Sequence, residues 1–126
     1  MFKEVQQPLA MLVEDDPSLA NIFETCVKKA GYRTIVANDG GKAVNLFNEV
    51  TPDLFVLDLH LPIYSGDELI DMIKAIPRFN NARIILATAD ARMAELLRPR
   101  VDFVLDKPVS SRQLVRLAER LIPSFA

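Results

Sequence analysis

The chain is poor in the residues on which disulfide frameworks and transition-metal clusters depend. Its 126 residues include one cysteine and one histidine. A single cysteine cannot form a disulfide within the chain, and Cys26 lies in a run with helical apolar spacing, which favours a buried and inert thiol. With His60 as the only imidazole, the chain offers few of the ligands that transition metals prefer. These absences argue against both kinds of site.

The chain also lacks long apolar runs and an excess of one charge. No stretch approaches the length of about 20 apolar residues that spans a bilayer, and the start, MFKEVQQPLA, lacks a basic segment followed by an apolar core. The 15 basic and 17 acidic residues give a net charge of −2, which argues against a general attraction to nucleic acid or to anionic membranes. We expect a soluble, cytoplasmic protein that binds neither directly.

The patterning indicates one α/β domain. Half of the residues are apolar, enough for one core, and we expect a single domain over 1–126 with its core at about 8–122. Short apolar runs alternate with helical patterns, which is typical of βα repeats and a parallel sheet. Strands are predicted at 9–13, 32–37, 53–57, 83–87 and 101–105, and helix caps at Asp16, Asp39, Ser65, Asp90 and Ser110 or Ser111. The predicted fold is a doubly wound, five-stranded parallel sheet in the flavodoxin-like order 2-1-3-4-5, with five helices.

Charged and polar residues stand where the apolar runs stop. Glu14 and Asp15 follow LAMLV, and Asp58 follows DLFVL. Lys107 follows DFVLD, and Thr88 ends RIILAT. In open α/β sheets, ligands bind beyond the carboxyl ends of the strands, so these residues are predicted to gather at one edge as a small polar site.

The acidic members of this set predict a magnesium site. The first and third strands are neighbours at the switch point of the predicted sheet, so Asp15 and Asp58 should approach closely. Converging carboxylates need a cation, and hard oxygen ligands favour Mg²⁺, which keeps several waters and leaves room for phosphate oxygens. The alternative is that Asp16 caps a helix while Glu14 and Asp15 are solvated loop acids.

Lys107 and Thr88 add to the acidic residues two side chains that can bind phosphate. Pro108 restrains Lys107 toward an extended backbone and permits a cis peptide, and a lysine there is a point charge suited to phosphate. The Thr88 hydroxyl can donate to a phosphate oxygen. Each could instead be an ordinary strand-end residue. Together, a carboxylate nucleophile, a divalent ion, a hydroxyl and an ammonium group suit phosphoryl transfer to an aspartate.

Four segments, MLVEDDP, DLFVLDLHLPIYSGDEL, ILATAD and FVLDKPV, resemble the receiver domain of two-component response regulators, and the resemblance covers nearly the whole chain. It implies specific roles for eight residues. Implied are the phosphoacceptor Asp58; the magnesium ligands Glu14, Asp15, Asp58 and the backbone carbonyl of His60; the phosphate-binding and switch residues Thr88, Ala89 and Lys107; and His60 and Asp90 as residues that tune dephosphorylation.

The resemblance implies a signalling domain rather than an enzyme, with at most self-phosphorylation and self-dephosphorylation chemistry. A histidine kinase or a phosphotransfer protein would donate the phosphoryl group to Asp58 in a magnesium-dependent reaction, and Thr88 would move inward. The movement would reshape the surface of the fourth helix, fifth strand and fifth helix for a downstream protein or output domain. A homodimer through this surface is compatible with the sequence.

Two departures from the family pattern concern this output surface. Receivers usually carry Tyr or Phe three residues before the lysine, where this chain has Val104, and Phe103 lies on the opposite strand face. The segment from Thr88 to Lys107 is also short, with Arg98-Pro99-Arg100 where a fourth helix would finish, and this predicts a fourth helix that is short, displaced or mobile. In the last helix, arginines at four-residue spacing could dock an acidic partner or simply form a solvated face; they are Arg112, Arg116 and Arg120.

Two other functions remain open. The departures at the output surface favour, as an alternative, a receiver-like interaction module that works without phosphorylation. The other alternative is an aspartate-dependent phosphatase of a different α/β family. Such enzymes usually want a second acid two residues after the nucleophile, where this chain has His60, and a cap domain that 126 residues hardly allow.

Overall fold

A computed structural model describes residues 7–124, which form a five-stranded parallel sheet with helices on both faces. The sheet order is β2-β1-β3-β4-β5, and this confirms the predicted fold class. The strands are β1 (Leu9–Val13), β2 (Arg33–Ala37), β3 (Leu54–Asp58), β4 (Arg83–Thr88) and β5 (Phe103–Asp106). The observed β2 and β5 begin later than predicted, whereas β3 and β4 extend to include Asp58 and Thr88.

Five α-helices connect the strands, as the sequence predicted. They are α1 (Pro17–Lys29), α2 (Gly40–Phe47), α3 (Gly66–Ala75), α4 (Ala91–Leu97) and α5 (Ser111–Arg120), and their N-caps are Asp16, Asp39, Ser65, Asp90 and Ser110. The caps form because a short polar side chain can accept hydrogen bonds from the otherwise unpaired backbone N–H groups of the first turn. Within residues 7–124, every helix falls short of the length and apolar character needed to cross a membrane.

Alternating strand residues divide the core into two layers. Leu12 and Val56 point toward α1 and α5, where Leu114 packs against them. Met11 and Phe55 point to the opposite face, which α2, α3 and α4 cover. All five residues of β3 are buried because this central strand is covered on both faces. The sheet therefore holds the ends of its central strands rigidly.

The fourth helix is short, which is one of the three outcomes that the sequence predicted. It ends at Leu97 and continues as a 3₁₀ turn over Arg98–Arg100. Pro99 lacks a backbone N–H and cannot extend the α-helical hydrogen-bond pattern. Arg100 forms an ion pair with Asp71 of α3, which connects this turn to the neighbouring helix.

Tyr32 connects the start of β2 to the end of α5. Its side chain is buried, and its hydroxyl donates a hydrogen bond to the carbonyl oxygen of Ala118 at 2.7 Å. Burial raises the pKa of the Tyr32 hydroxyl, and the nearby charge of Asp53 adds to the effect. The neutral hydroxyl is therefore the form that the folded state favours.

We expect Tyr32→Phe to lower the free energy of unfolding by about 1 kcal/mol at neutral pH, because the hydrogen bond to Ala118 is lost. A tyrosine with a raised pKa contributes stability that is complete below its ordinary value of 10.0 and is lost as the pH rises above it. The difference in the free energy of unfolding between the unchanged protein and Tyr32→Phe should therefore narrow above pH 10, as measured by urea titration. Tyr64→Phe is the control, since its hydroxyl makes no hydrogen bond within residues 7–124; an equal loss there would contradict the assignment.

Candidate functional site

The carboxyl ends of four neighbouring strands form one edge of the sheet. In the parallel pairing, Val13 lies beside Leu57, and Thr88 lies beside Asp106. The residues at or directly after these strand ends are Glu14, Asp15, Asp58, Thr88 and Lys107. Strand register therefore brings together side chains that are up to 93 positions apart in the chain.

Three carboxylates form the floor of this edge. One ligand oxygen from each of Glu14, Asp15 and Asp58 lies within 4.8 Å of the others. Glu14 is 1% exposed and Asp58 is 8% exposed, whereas Asp15 is open to solvent. Like charges at this separation repel, and a hard divalent cation is the natural counter-ion for an all-oxygen donor set. The donor chemistry of this cluster fits Mg²⁺.

Lys107 places a positive charge directly between two of the carboxylates. Its Nζ donates to Oε1 of Glu14 at 2.9 Å and lies 3.2 Å from Oδ1 of Asp58. The backbone N–H of Lys107 donates to the carbonyl oxygen of Thr88 at 3.0 Å, and the following peptide bond to Pro108 is cis. The end of β5 is thus held against β4 while the lysine side chain reaches across to β1 and β3.

Burial and pairing act on the pKa values of this group in opposite ways. Burial raises the pKa of Glu14, and the hydrogen bonds from Lys107 and from the N–H of Asp16 offset only part of the effect. Burial alone would lower the pKa of Lys107, but the hydrogen bond to Glu14 and the charge of Asp58 outweigh it and raise that pKa. The lysine therefore remains an ammonium group at neutral pH.

Thr88 lies at the end of β4, with its hydroxyl oxygen buried against the next turn. The backbone N–H of Asp90 donates to Thr88 Oγ1 at 3.0 Å, and the Asp90 side chain in turn accepts from the N–H of Met93 at 3.0 Å. Ala89, between them, is exposed. Thr88 is thus connected through one residue to the first turn of α4.

His60 and Asp90 form a contact across the edge. Nε2 of His60 lies 3.3 Å from Oδ2 of Asp90 and joins the loop after β3 to the loop after β4. The pKa of Asp90 is lowered, first by the N–H of Met93 and further by His60. Sequence reasoning did not pair these residues. A usable signal existed, because each lies two positions beyond a strand-end residue on adjacent strands.

The loop after β3 approaches the phosphoacceptor candidate closely. A Cβ at Gly66 would lie 2.4 Å from the carbonyl oxygen of Asp58, so the start of α3 can pack there only as glycine. Within the same loop, Ile63 has φ of 73° and is 72% exposed. A β-branched residue rarely adopts this conformation, and nothing in the sequence signalled it. The predicted backbone ligand of Mg²⁺, the carbonyl oxygen of His60, belongs to this loop and stays a prediction.

The chain is similar to receiver domains by several comparisons. The family model for the response regulator receiver domain matches residues 10–119. Hybrid signal transduction histidine kinase D of Dictyostelium discoideum is 33% identical over 112 residues, which cover 86% of this chain and 7% of the kinase. Protein Rrf1 of Nitratidesulfovibrio vulgaris is 29% identical over 92% of this chain and 83% of its own length. This chain therefore corresponds to a small part of that kinase and to most of Rrf1.

A similar solved structure is the receiver domain of sensor histidine kinase PA1611 from Pseudomonas aeruginosa PAO1, with a magnesium ion coordinated in its active-site cleft. It is 28% identical, with a TM-score of 0.82, over 94% of this chain and 100% of that chain. The two proteins therefore share the same fold over nearly their whole lengths.

We expect Lys107→Met to lower the free energy of unfolding by about 2 kcal/mol near pH 7, because the buried Glu14 carboxylate loses its cation. Because the pKa of Glu14 is raised, the folded state favours its protonated form. The stability that this form contributes is complete below the ordinary pKa of 4.5 and is lost as the pH rises through the folded-state pKa. Removing Lys107 should raise this pKa further. The difference in the free energy of unfolding between Lys107→Met and the unchanged protein should therefore shrink as the pH falls toward 4.5.

Urea unfolding at several pH values measures this effect. Lys74→Met is the matched control, because Lys74 is exposed on α3 and forms no ion pair with the described residues. Two results would show that Lys107 does not stabilise the charged form of Glu14. One is a loss of unfolding free energy in Lys107→Met that is equal at neutral and acidic pH, and the other is an equal loss in Lys74→Met.

Proposed function

The chain belongs to the response regulator receiver domain family, and we propose that it is a signalling domain that accepts a phosphoryl group on Asp58 from a histidine kinase or a phosphotransfer protein. The observation that carries the proposal is the position of Lys107 Nζ, 2.9 Å from Glu14 and 3.2 Å from Asp58, beside a carboxylate cluster that fits Mg²⁺. We propose that residues 1–126 form one receiver domain that works in the cytoplasm.

In this proposal Asp58 is the nucleophile. A carboxylate oxygen of Asp58 attacks phosphorus, the new Asp58 O–P bond forms, and the bond from phosphorus to the donor imidazole nitrogen breaks; the imidazole keeps the electron pair and takes up a proton. Glu14, Asp15, Asp58 and the carbonyl oxygen of His60 would hold Mg²⁺. When bound, the ion would neutralise charge on the phosphoryl oxygens, which is the main requirement of this reaction.

Lys107 and Thr88 would bind the transferred group. The Lys107 ammonium, already 3.2 Å from Asp58 Oδ1, would donate to one phosphoryl oxygen. Thr88 Oγ1 accepts from the N–H of Asp90, so its own hydrogen is free to be donated to another phosphoryl oxygen. The small, exposed Ala89 would leave access to phosphorus. The contact between His60 and Asp90 would tune the approach of water and hence the loss of the phosphoryl group.

The output would pass through the first turn of α4. Asp90 donates its N–H to Thr88 and caps α4 with its side chain, so an inward movement of Thr88 would change the position of this helix. The reshaped surface of α4, β5 and α5 would bind a downstream protein or output domain, and it would also suit a homodimer. Val104 cannot act as the aromatic rotamer switch that is usual at its position, so the connection through Asp90 would carry the change.

A second candidate, an interaction module that works without phosphorylation, is favoured by Val104 and by the short α4. It requires that occupation of the site leaves the surface of α4, β5 and α5 unchanged. The phosphatase alternative is weaker, because such enzymes usually have a second acid two positions after the nucleophile. This chain has His60 there, an exposed imidazole that contacts Asp90.

We expect the protein to gain the mass of one phosphoryl group when it is incubated with acetyl phosphate and Mg²⁺. Intact-mass spectrometry measures the gain. Asp58→Asn should show none, because the amide is not a nucleophile, and chelation of the metal should reduce the gain strongly. Asp53→Asn is a matched control, since Asp53 lies at the opposite end of β3, where it accepts from the N–H of Leu9. A gain that persists in Asp58→Asn would remove Asp58 as the acceptor.

We expect beryllofluoride with Mg²⁺, which mimics an aspartyl phosphate, to shift backbone amide resonances beyond the site itself. The shifts should include Thr88, Asp90 and the first turn of α4, and should reach α5. Two-dimensional NMR spectra of the protein before and after the addition measure them. Shifts confined to the loops around Asp58 would instead support the interaction module that works without phosphorylation.

A further inference from the structure

The loop between β3 and α3 rests on the first turn of α2. We call residues 59–65 the β3–α3 loop. The backbone N–H of Gly40 donates a hydrogen bond to the carbonyl oxygen of Pro62 at 3.0 Å, and the N–H of Tyr64 donates to the same oxygen at 2.9 Å. Gly40 is the first residue of α2, so its N–H has no acceptor within the helix. The loop is therefore held in part by a helix that contains none of the predicted site residues.

The hydrogen bond from Gly40 acts on a strained turn. The bond from Tyr64 to Pro62 closes a three-residue turn with Ile63 at its centre, and Ile63 has φ of 73°. Turns of this kind are rare and strained, and a β-branched residue suits them poorly. Burial does not compensate, because the side chain of Ile63 is 72% exposed. A strained conformation persists only where the surrounding structure holds it, and Gly40 supplies such a contact from another element.

Two glycines begin α2, and space rather than backbone conformation explains the first of them. Glycine destabilises a helix relative to alanine, yet Gly40 and Gly41 occupy the first two of the eight positions of α2. Neither has a positive φ; among the four glycines of the chain, only Gly31 does. A Cβ at Gly40 would overlap the carbonyl oxygen of Tyr64 and lie 2.8 Å from the carbonyl carbon, which is backbone and cannot rotate away. Only glycine therefore lets α2 and the loop approach so closely.

Gly41 is adjacent, but an added side chain there would meet different atoms. A Cβ at Gly41 would lie 3.1 Å from Cδ1 of Ile63 and 3.2 Å from Cγ2 of Ile63 and Oδ1 of Asp39. The Ile63 atoms belong to an exposed side chain, which can move slightly without displacing the backbone. The same substitution therefore displaces the loop backbone at Gly40 and leaves it in place at Gly41.

We propose that Gly40 is a positioning residue for the magnesium site, because its hydrogen bond to Pro62 fixes the β3–α3 loop and with it the backbone carbonyl of His60. His60 lies between two fixed points, which are Asp58 at the end of β3 and Pro62. The inference rests on the proposed function, since it takes the carbonyl oxygen of His60 as a ligand of Mg²⁺. This ion demands a nearly ideal arrangement of its ligands, so displacement of one ligand lowers the affinity.

Titration with MgCl₂, followed by two-dimensional NMR, tests the inference in the unchanged chain, Gly40→Ala and Gly41→Ala. The amide resonances of Asp15 and Leu59 report the dissociation constant of Mg²⁺. Gly40→Ala should raise this constant at least about tenfold, because the added Cβ displaces the loop that carries the ligand. Gly41→Ala adds the same methyl group one residue away and should change the constant less than about twofold.

Hydrogen exchange in the unchanged chain gives a second test, which does not depend on the folding of a variant. Coupling between two sites is reciprocal, so bound Mg²⁺ must strengthen a hydrogen bond that favours its binding. Saturating Mg²⁺ should slow exchange of the Gly40 amide at least about fivefold. The Lys42 amide donates to Oδ1 of Asp39 at 2.7 Å in the same turn and should change less than about twofold. A purely structural role of Gly40 would leave both amides unaffected by Mg²⁺.

Three outcomes would overturn the inference and leave the proposed function intact. They are equal dissociation constants for Gly40→Ala and the unchanged chain, equal weakening by both glycine variants, and exchange of the Gly40 amide that ignores Mg²⁺. If Gly40→Ala does not fold, the exchange measurement decides alone. In each of these cases the unchanged chain would still gain the mass of one phosphoryl group from acetyl phosphate. The absence of any shift with Mg²⁺ in the unchanged chain would instead overturn the proposed metal site together with this inference.

Discussion

One ammonium group between two buried carboxylates is the contact on which the arrangement of this protein depends. Lys107 Nζ donates to Glu14 at 2.9 Å and lies 3.2 Å from Asp58, so one side chain from the end of β5 reaches the ends of β1 and β3. A buried carboxylate without a partner costs several kcal/mol. The same contact therefore serves stability and the proposed reaction. Lys107 offsets the charges of the buried carboxylates in the folded protein, and its ammonium group is also suited to bind a phosphoryl group.

The hydrogen bonds around Thr88 supply a path from this edge to the surface. The N–H of Asp90 donates to Thr88, and the Asp90 carboxylate holds the first turn of α4 and contacts His60. A helix of seven residues has few contacts of its own, so its position depends strongly on this cap. In the proposed switch, that dependence takes the place of the aromatic side chain that Val104 cannot supply.

The two faces of the protein are built from different physical interactions. At the sheet edge Glu14, Asp58 and Lys107 are largely buried and paired with one another, and strand register determines their distances. On α5 the arginines are exposed and unpaired within residues 7–124, and helical periodicity alone aligns them beside Phe103.

Neighbours along the chain were enough to predict several features of this protein. Buried strands read as apolar runs, Asp16, Asp39 and Asp90 precede helices as caps, Pro99 ends the short α4, and strand-end residues were expected at one edge. Which groups contact each other became known from the folded structure alone: Lys107 with Glu14, His60 with Asp90, Tyr32 with Ala118, and Gly66 against the carbonyl of Asp58. Most of these contacts join segments far apart in the chain, and differences of about 1 Å, which come from the packing of whole strands and helices, decide between one partner and another.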